Sequence, residues 1–205
     1  KVQLLGDGFV QADDIGTTCG EGGRVELTHI LLGGKETYTG AAGTLPSFGA
    51  SFKADTAYLC RADQKLDMNY IARQIGKKTD CQMSAQGTLR GRAQKTYRGS
   101  IDFIKGSEGS TGNEYEEVLL LSPYVVNKSI PLILCGEEDI AGEHGSTIGK
   151  LGDDTLFYMQ SRGIAKREAE MLMARAKIAR VASDIPDEAT VEKINAYSDE
   201  VLSHE

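Results

Sequence analysis

Residues 1 to about 150 carry almost no apolar periodicity of three or four, which excludes a helical fold for most of the chain. They hold short apolar or alternating runs instead: VELTHILL (25–32), TAYLC (56–60), SIDFI (100–104), EVLLL (117–121) and IPLILC (130–135). Between them lie small or polar breaks such as LGGKETYTGAAG (32–43) and KGSEGSTGNE (105–114). Such runs bounded by turn residues read as strands. In SIDFI, Ile101, Phe103 and Ile104 are the side chains nearest burial. EVLLL and LILC read as strands covered on both faces. Hairpin punctuation is thin, with Asp7-Gly8 and no Asn-Gly. A sandwich needs more of it. Frequent glycine, 24 residues in all, and corner-like breaks suit stacked parallel coils, although no exact hexapeptide or nonapeptide repeat exists. The pattern favours a solenoid over a sandwich.

After Leu151 the texture becomes helical. GDDTLFYMQSRG is read as a helix capped by Asp153 or Asp154 and stopped by Gly163. AKREAEMLMARAKIARVAS (165–183) has two apolar stripes: Ala169, Leu172, Met173 and Ala176; and Met171, Ala174, Ile178 and Val181. A helix covered on two sides would show this. The third helix, from Pro186 to His204, carries Val191, Ile194, Tyr197 and Val201 on one face. These stripes form either an internal core, as a three-helix cap on the end of the β part, or a face for a partner. The expected division is 1–150 strands and 151–205 helices.

A net charge of −7 argues against nucleic acid and anionic membrane as main partners. RGRAQKTYRG (90–99) is a local basic run, read as a solvated strand face. No membrane-length apolar run and no signal peptide are found. Cys19, Cys60, Cys81 and Cys135 are scattered without a C-x-x-C pair, which suits reduced cytosolic thiols. The chain starts at Lys1, as a fragment would.

Common chemical motifs fail on count. G-S-T-I-G-K (145–150) is one residue short of a Walker A loop, and Leu151 stands where the magnesium-holding hydroxyl belongs. No H-E-x-x-H and no G-x-S-x-G occur. What remains is a scatter of borderline ligands: Cys135, Glu143 and His144, with Cys60, Cys81, Glu116 and Glu117 further off. His144 between small residues is either a hydrogen-bonded structural group or an iron ligand.

Several ordered stretches resemble the SufB/SufD family of iron–sulfur cluster assembly scaffolds. They are YRGSIDFIKGSEGSTG (97–112), LLLSPYVVNKSIPLILCGEEDIAGEHGSTIGKL (119–151) and LFYMQSRGI (156–164), followed by KREAEML. The likeness is good from Tyr97 to Leu172, and looser back through GASFKADTAYLC. It implies a right-handed parallel β-helix followed by a small C-terminal helical domain, with the family's N-terminal region and first coils missing. It implies a non-enzymatic scaffold in a cytoplasmic complex, pairing through its β-helix with another SufB/SufD-type subunit as a homo- or heterodimer. A SufC ATPase would dock on the C-terminal helices.

The same resemblance gives the residue roles. His144 matches a family histidine implicated in cluster assembly, placed at a coil corner, where it would ligate iron or hold persulfide sulfur. Glu143, Glu116 and Cys135 join it as candidates for a transient iron–sulfur cluster; no permanently bound cofactor is expected. Leu156, Phe157, Tyr158, Ser161, Arg162 and Gly163 match the signature beside the ATPase contact. Phe157 is expected to pack into the helical domain, and Arg162 to present a planar fork to a partner carboxylate. Departures matter: SufB-type members carry a cysteine where this chain has Glu116, and SufD-type members have Cys-Ser where it has Gly142-Glu143. A carboxylate does not accept persulfide sulfur as a thiolate does. Cys135 or Cys81 would have to compensate, against the simpler reading of both as buried small hydrophobes. Two rivals stand beside the scaffold: a β-helix enzyme acting on polysaccharide, disfavoured by 6% aromatics and no Trp, and an interaction module without cluster chemistry.

Overall fold

A computed structural model describes residues 1–203. The strands are β1 (Val2–Leu5), β2 (Val10–Ala12), β3 (Ile15–Thr18), β4 (Arg24–Gly33), β5 (Glu36–Leu45) and β6 (Ser51–Cys60). They continue as β7 (Lys65–Gln74), β8 (Asp80–Leu89), β9 (Gln94–Phe103), β10 (Ser110–Leu120), β11 (Val126–Cys135) and β12 (Ile140–Gly149). Three helices follow: α1 (Asp153–Ser161), α2 (Lys166–Ala182) and α3 (Glu188–Ser203). His204, the expected end of the third helix, lies outside the described residues.

From β4 onward the chain alternates between two sheets. One has the order β1-β4-β6-β8-β10-β12, the other β11-β9-β7-β5-β2 with β3 also on β5. Every pairing is parallel. This is a β-solenoid of about 5 turns, as the scarcity of hairpin signals predicts. Glu36 pairs with Lys65, and Lys65 with Gln94, so a turn takes 29 residues there. Successive corners stack: the Arg92 N–H donates to the Ala62 carbonyl at 2.7 Å.

Parallel register puts side chains of one face in columns through the turns. Tyr58, Tyr70, Tyr97, Phe52 and Phe103 fill the interior between the sheets. The segment 36–43, read above as part of a break, is in fact β5. Its small residues answer to packing: a Cβ on Gly43 would lie 2.5 Å from the Phe52 ring.

A second core lies on the outer face of the β1-containing sheet. Ile30, Leu32, Ala57 and Leu59 meet Ala174, Ile178 and Val181 of α2, and Ile194, Val201 and Leu202 of α3. Each large aliphatic buried there contributes on the order of 1.5–3 kcal/mol. The helices therefore cover a flank of the solenoid rather than capping its end. The stripe through Ala174, Ile178 and Val181 is buried; of the other stripe Ala169 is buried while Leu172 and Ala176 are exposed, so α2 is covered mainly on one side. The Tyr197 hydroxyl of α3 donates to the Leu5 carbonyl at 2.5 Å, tying the last helix to the first strand.

Helix α1 departs furthest from expectation. No residue of it is buried, and Phe157 is 74% exposed rather than packed into the helices. Gly152 occupies the N-cap; Asp153 and Asp154 sit in the first turn, where they complement the helix dipole. Gly163 does stop the helix, at φ +84°. The apolar run of β11 is also less covered than expected. β11 is an edge strand, and Ile130, Leu132 and Leu134 are each nearly half exposed. Among the described residues no helix is long and apolar enough to cross a membrane.

Candidate functional site

Both sheets end at the same end of the solenoid, β12 closing one and β11 the other, and each leaves an unpaired edge. There the interior changes character. One inward column runs Leu27, Ala54, Met83, Glu114, His144; the next runs His29, Thr56, Ala85, Glu116, Ser146. Apolar and small side chains give way to two carboxylates on β10, then to an imidazole and a hydroxyl on β12. β9 and β11 of the opposite sheet supply Lys95, Tyr97, Ser129 and Pro131. Glu114, Glu116, Ser129, Pro131, His144, Ser146 and Ile148 line an open pocket of about 300 Å³.

The charges beneath this mouth are buried. Lys95 is 1% exposed and forms an ion pair with Glu116, itself 2% exposed. Burial pushes the lysine below its ordinary range, while the neighbouring carboxylate pulls the other way. The ammonium also lies 5.7 Å from the Tyr97 ring centre and 6.0 Å from that of Tyr58. So the basic run 90–99 is not simply a solvated face: its Lys95 points inward. Glu114 is 4% exposed; burial, and next the charge of Glu116, push its carboxyl up to about 7. Gly99 makes room for it, since a Cβ there would sit 2.3 Å from Glu114 Oε1. The Tyr-Arg-Gly triplet thereby acquires a reason. Tyr97 and Gly99 face the carboxylates, and Arg98 turns outward to an ion pair with Asp67. Oε2 of Glu114 and Oε2 of Glu116 have no hydrogen-bond partner.

His144 stands in mid-strand, in register with Glu114, and not at a corner. Its small neighbours serve packing: a Cβ on Gly142 would come within 3.0 Å of Ile133 and 3.1 Å of Phe103. Glu143 points to the other face, in register with exposed Asn113, away from the pocket. Cys135 closes β11 and is exposed, correcting its reading as a buried hydrophobe; it does not line the pocket. Cys60 and Cys81 are buried, and burial pushes both thiols up to about 12, far from thiolate character. Thus the pocket brings together His144 and Glu116 but neither Glu143 nor Cys135. Among the described residues no group of three or more His, Cys, Asp and Glu side chains is drawn together as a ready cation centre.

Of the second set of candidates, Leu156 lines a cleft between α1 and the segment 120–123. Phe157 and Tyr158 are exposed, and the Ser161 hydroxyl donates to the Tyr158 carbonyl. The Arg162 guanidinium stacks over the Tyr158 ring at 5.4 Å. Glu114, Lys95, Ser129 and Ser146 were not marked in the sequence. The available signal was Glu-Tyr-Glu at strand spacing, which puts two acids on one face.

Comparison with known proteins matches residues 1–177 to the family described as SUF system FeS cluster assembly, SufBD core domain. An iron–sulfur cluster assembly SufBD family protein of Mycobacterium leprae is 27% identical over 118 residues, 58% of this chain and 14% of its own. SufD of Bacillus subtilis is 23% identical over 179 residues, 87% of this chain and 41% of its own. SufB of the same organism is 25% identical over 176 residues, 86% of this chain and 38% of its own. The chain spans less than half the length of each.

Proposed function

The chain belongs to the SufB/SufD family, whose members work in SUF iron–sulfur cluster assembly, and on that premise we propose that it is a scaffold subunit of such a complex, not an enzyme. It pairs through the last turn of its solenoid with another SufB/SufD-type subunit. It binds a SufC-type ATPase through its C-terminal helices, in the cytoplasm. The nascent cluster is cargo, held at the mouth by His144 and Glu116.

The observation that carries this reading is one juxtaposition. The unpaired edges of β11 and β12 flank the acidic pocket, and β11 bears exposed Ile130, Leu132 and Leu134 on its outer face. An apolar stripe on an unpaired strand is what a second subunit covers. The exposed ring of Phe157 and the Tyr158–Arg162 stack offer aromatic and guanidinium anchors of the kind that dominate interfaces.

The test is assembly with a SufC-type ATPase. Arg162→Glu abolishes co-elution while leaving the circular dichroism spectrum and melting temperature of the isolated chain unchanged. Undiminished co-elution of that variant overturns the docking assignment.

A further inference from the structure

We propose that Pro131 makes the pairing surface one-sided: a second copy of this chain adds strand to strand along β12, while Pro131 breaks the ladder at β11 and leaves the seam beside the pocket loose. This rests on reading the last turn as the pairing surface, and deepens it by naming the residue that sets its form.

The direction of the backbone groups decides this. In a parallel sheet the N–H and C=O of one residue point to one neighbouring strand, and those of the next residue to the other. The Val126 N–H donates to the Ala93 carbonyl at 2.9 Å, and the Gly136 N–H to the Phe103 carbonyl at 2.8 Å. The even-numbered residues of β11 therefore serve β9, and Asn127, Ser129, Pro131, Ile133 and Cys135 turn their backbone groups to the free edge. Pro131 has no N–H to offer, so this row of donors breaks at its middle. The same direction is why β11 tolerates a proline: at an even-numbered position it would remove a bond to β9. β12 has no such gap. The Thr111 N–H donates to the Thr79 carbonyl at 2.9 Å, so the odd-numbered residues of β10 serve β8 and the even-numbered ones serve β12. Ile140, Gly142, His144, Ser146 and Ile148 are left facing the free edge of β12, each with both backbone groups intact.

An unbroken edge is a template for another strand, and a proline in the donor row guards against one. The residues of β12 fit their own copy. Antiparallel pairing about a two-fold axis at His144 uses every one of these edge residues. It sets Ile140 opposite Ile148, Gly142 opposite Ser146 and Glu143 opposite Gly145. No carboxylate of β12 then faces another, which matters for a chain of net charge −7. β11 meets the copy through the exposed side chains of Ile130, Leu132 and Leu134 instead. Ser129 and Pro131 line the pocket, so the seam with the broken ladder lies where the pocket opens.

The experiment is amide hydrogen exchange of the full chain across a concentration series, with sedimentation of the same samples. Pairing slows exchange at 142, 144 and 146 by about tenfold or more, and leaves 129 and 133 near their single-chain rates. Pro131→Val completes the β11 row: protection extends to 129 and 133, and the pair tightens by about tenfold or more. Should Pro131→Val fold poorly, Ser146→Pro decides. It removes an edge donor of β12 but no bond to β10, so it abolishes pairing at an unchanged melting temperature. Equal protection of the two edges in the parent, an unchanged dissociation constant in Pro131→Val, or pairing of Ser146→Pro like the parent's overturns the inference. A parent that never pairs with itself overturns it too, and leaves pairing with a different subunit of the family standing.

Discussion

Lys177 Nζ of α2 donates to Glu117 at 2.5 Å, so the helix grips the outer face of the strand whose inner face carries Glu116. The lysine side chain is 9% exposed and the glutamate 32%, which makes the two partners unequal. Glu117→Gln strands a buried ammonium and costs on the order of 2 kcal/mol, whereas Lys177→Met leaves a carboxylate that water still reaches and costs under about 1 kcal/mol. Urea midpoints of the two variants check the order. Equal losses, or the reverse order, sink the assignment.

The Lys95–Glu116 pair makes a sharper case. Lys95→Met removes the positive charge paired with a carboxylate that is 2% exposed, and costs about 3–5 kcal/mol. Adding Glu116→Gln recovers most of that loss, because the carboxylate stranded by the first change is then gone. A double-mutant cycle by chemical denaturation measures the coupling; additive losses contradict a direct pair.

Gly99→Ala places a methyl 2.3 Å from Glu114 Oε1. It displaces the carboxyl and costs about 1–3 kcal/mol by overpacking. Ala on the partly open Gly152 position, with only Thr155 Oγ1 at 3.9 Å, is the control and stays within about 0.5 kcal/mol of the parent. Thermal unfolding of both variants reads the difference.

His29 gives the pH dependence. Its Nδ1 lies 2.7 Å from the Tyr70 hydroxyl, its Nε2 is orphaned, and the side chain is fully buried. Burial above all, then the Lys1 side chain, push the imidazole down from 6.5 to about 3, against a weaker pull from Asp13. A folded value below the unfolded one means the unfolded chain takes the proton first. Stability is therefore lost as pH falls below 6.5, by up to about 1.4 kcal/mol per pH unit. Between pH 7 and pH 5 the parent should lose about 2 kcal/mol more than His29→Asn, measured by urea unfolding at each pH. Parallel profiles would remove His29 as the cause.

How much of this was legible in the residues varies with distance along the chain. Strand texture is local, so SIDFI and VELTHILL announce themselves, and a lack of hairpin dipeptides points to parallel stacking. The turn did not show as a repeat because its length varies, from 27 to 31 residues between β4 and β12, and because a column fixes side-chain direction rather than type. Leu27, Ala54, Met83, Glu114 and His144 occupy equivalent places and share nothing chemical. Lys95 and Glu116 come from different sheets, so neither run of sequence hints at the other. His144 and Glu116, picked out as borderline ligands by residue type and then by family likeness, both line the pocket. Glu143 and Cys135 were drawn in by sequence proximity, which a strand's alternation and length undo. Phe157 looked like core because apolar residues usually are; α1 leaves it outside, where a partner can use it.

The central claim is that the mouth between β10, β11 and β12 is where cluster assembly occurs. Its direct test is anaerobic reconstitution of the assembled complex with iron and sulfide, comparing His144→Ala with the parent by iron and acid-labile sulfide content. The account predicts a several-fold loss of both in the variant with the complex intact. Equal content in variant and parent would contradict it.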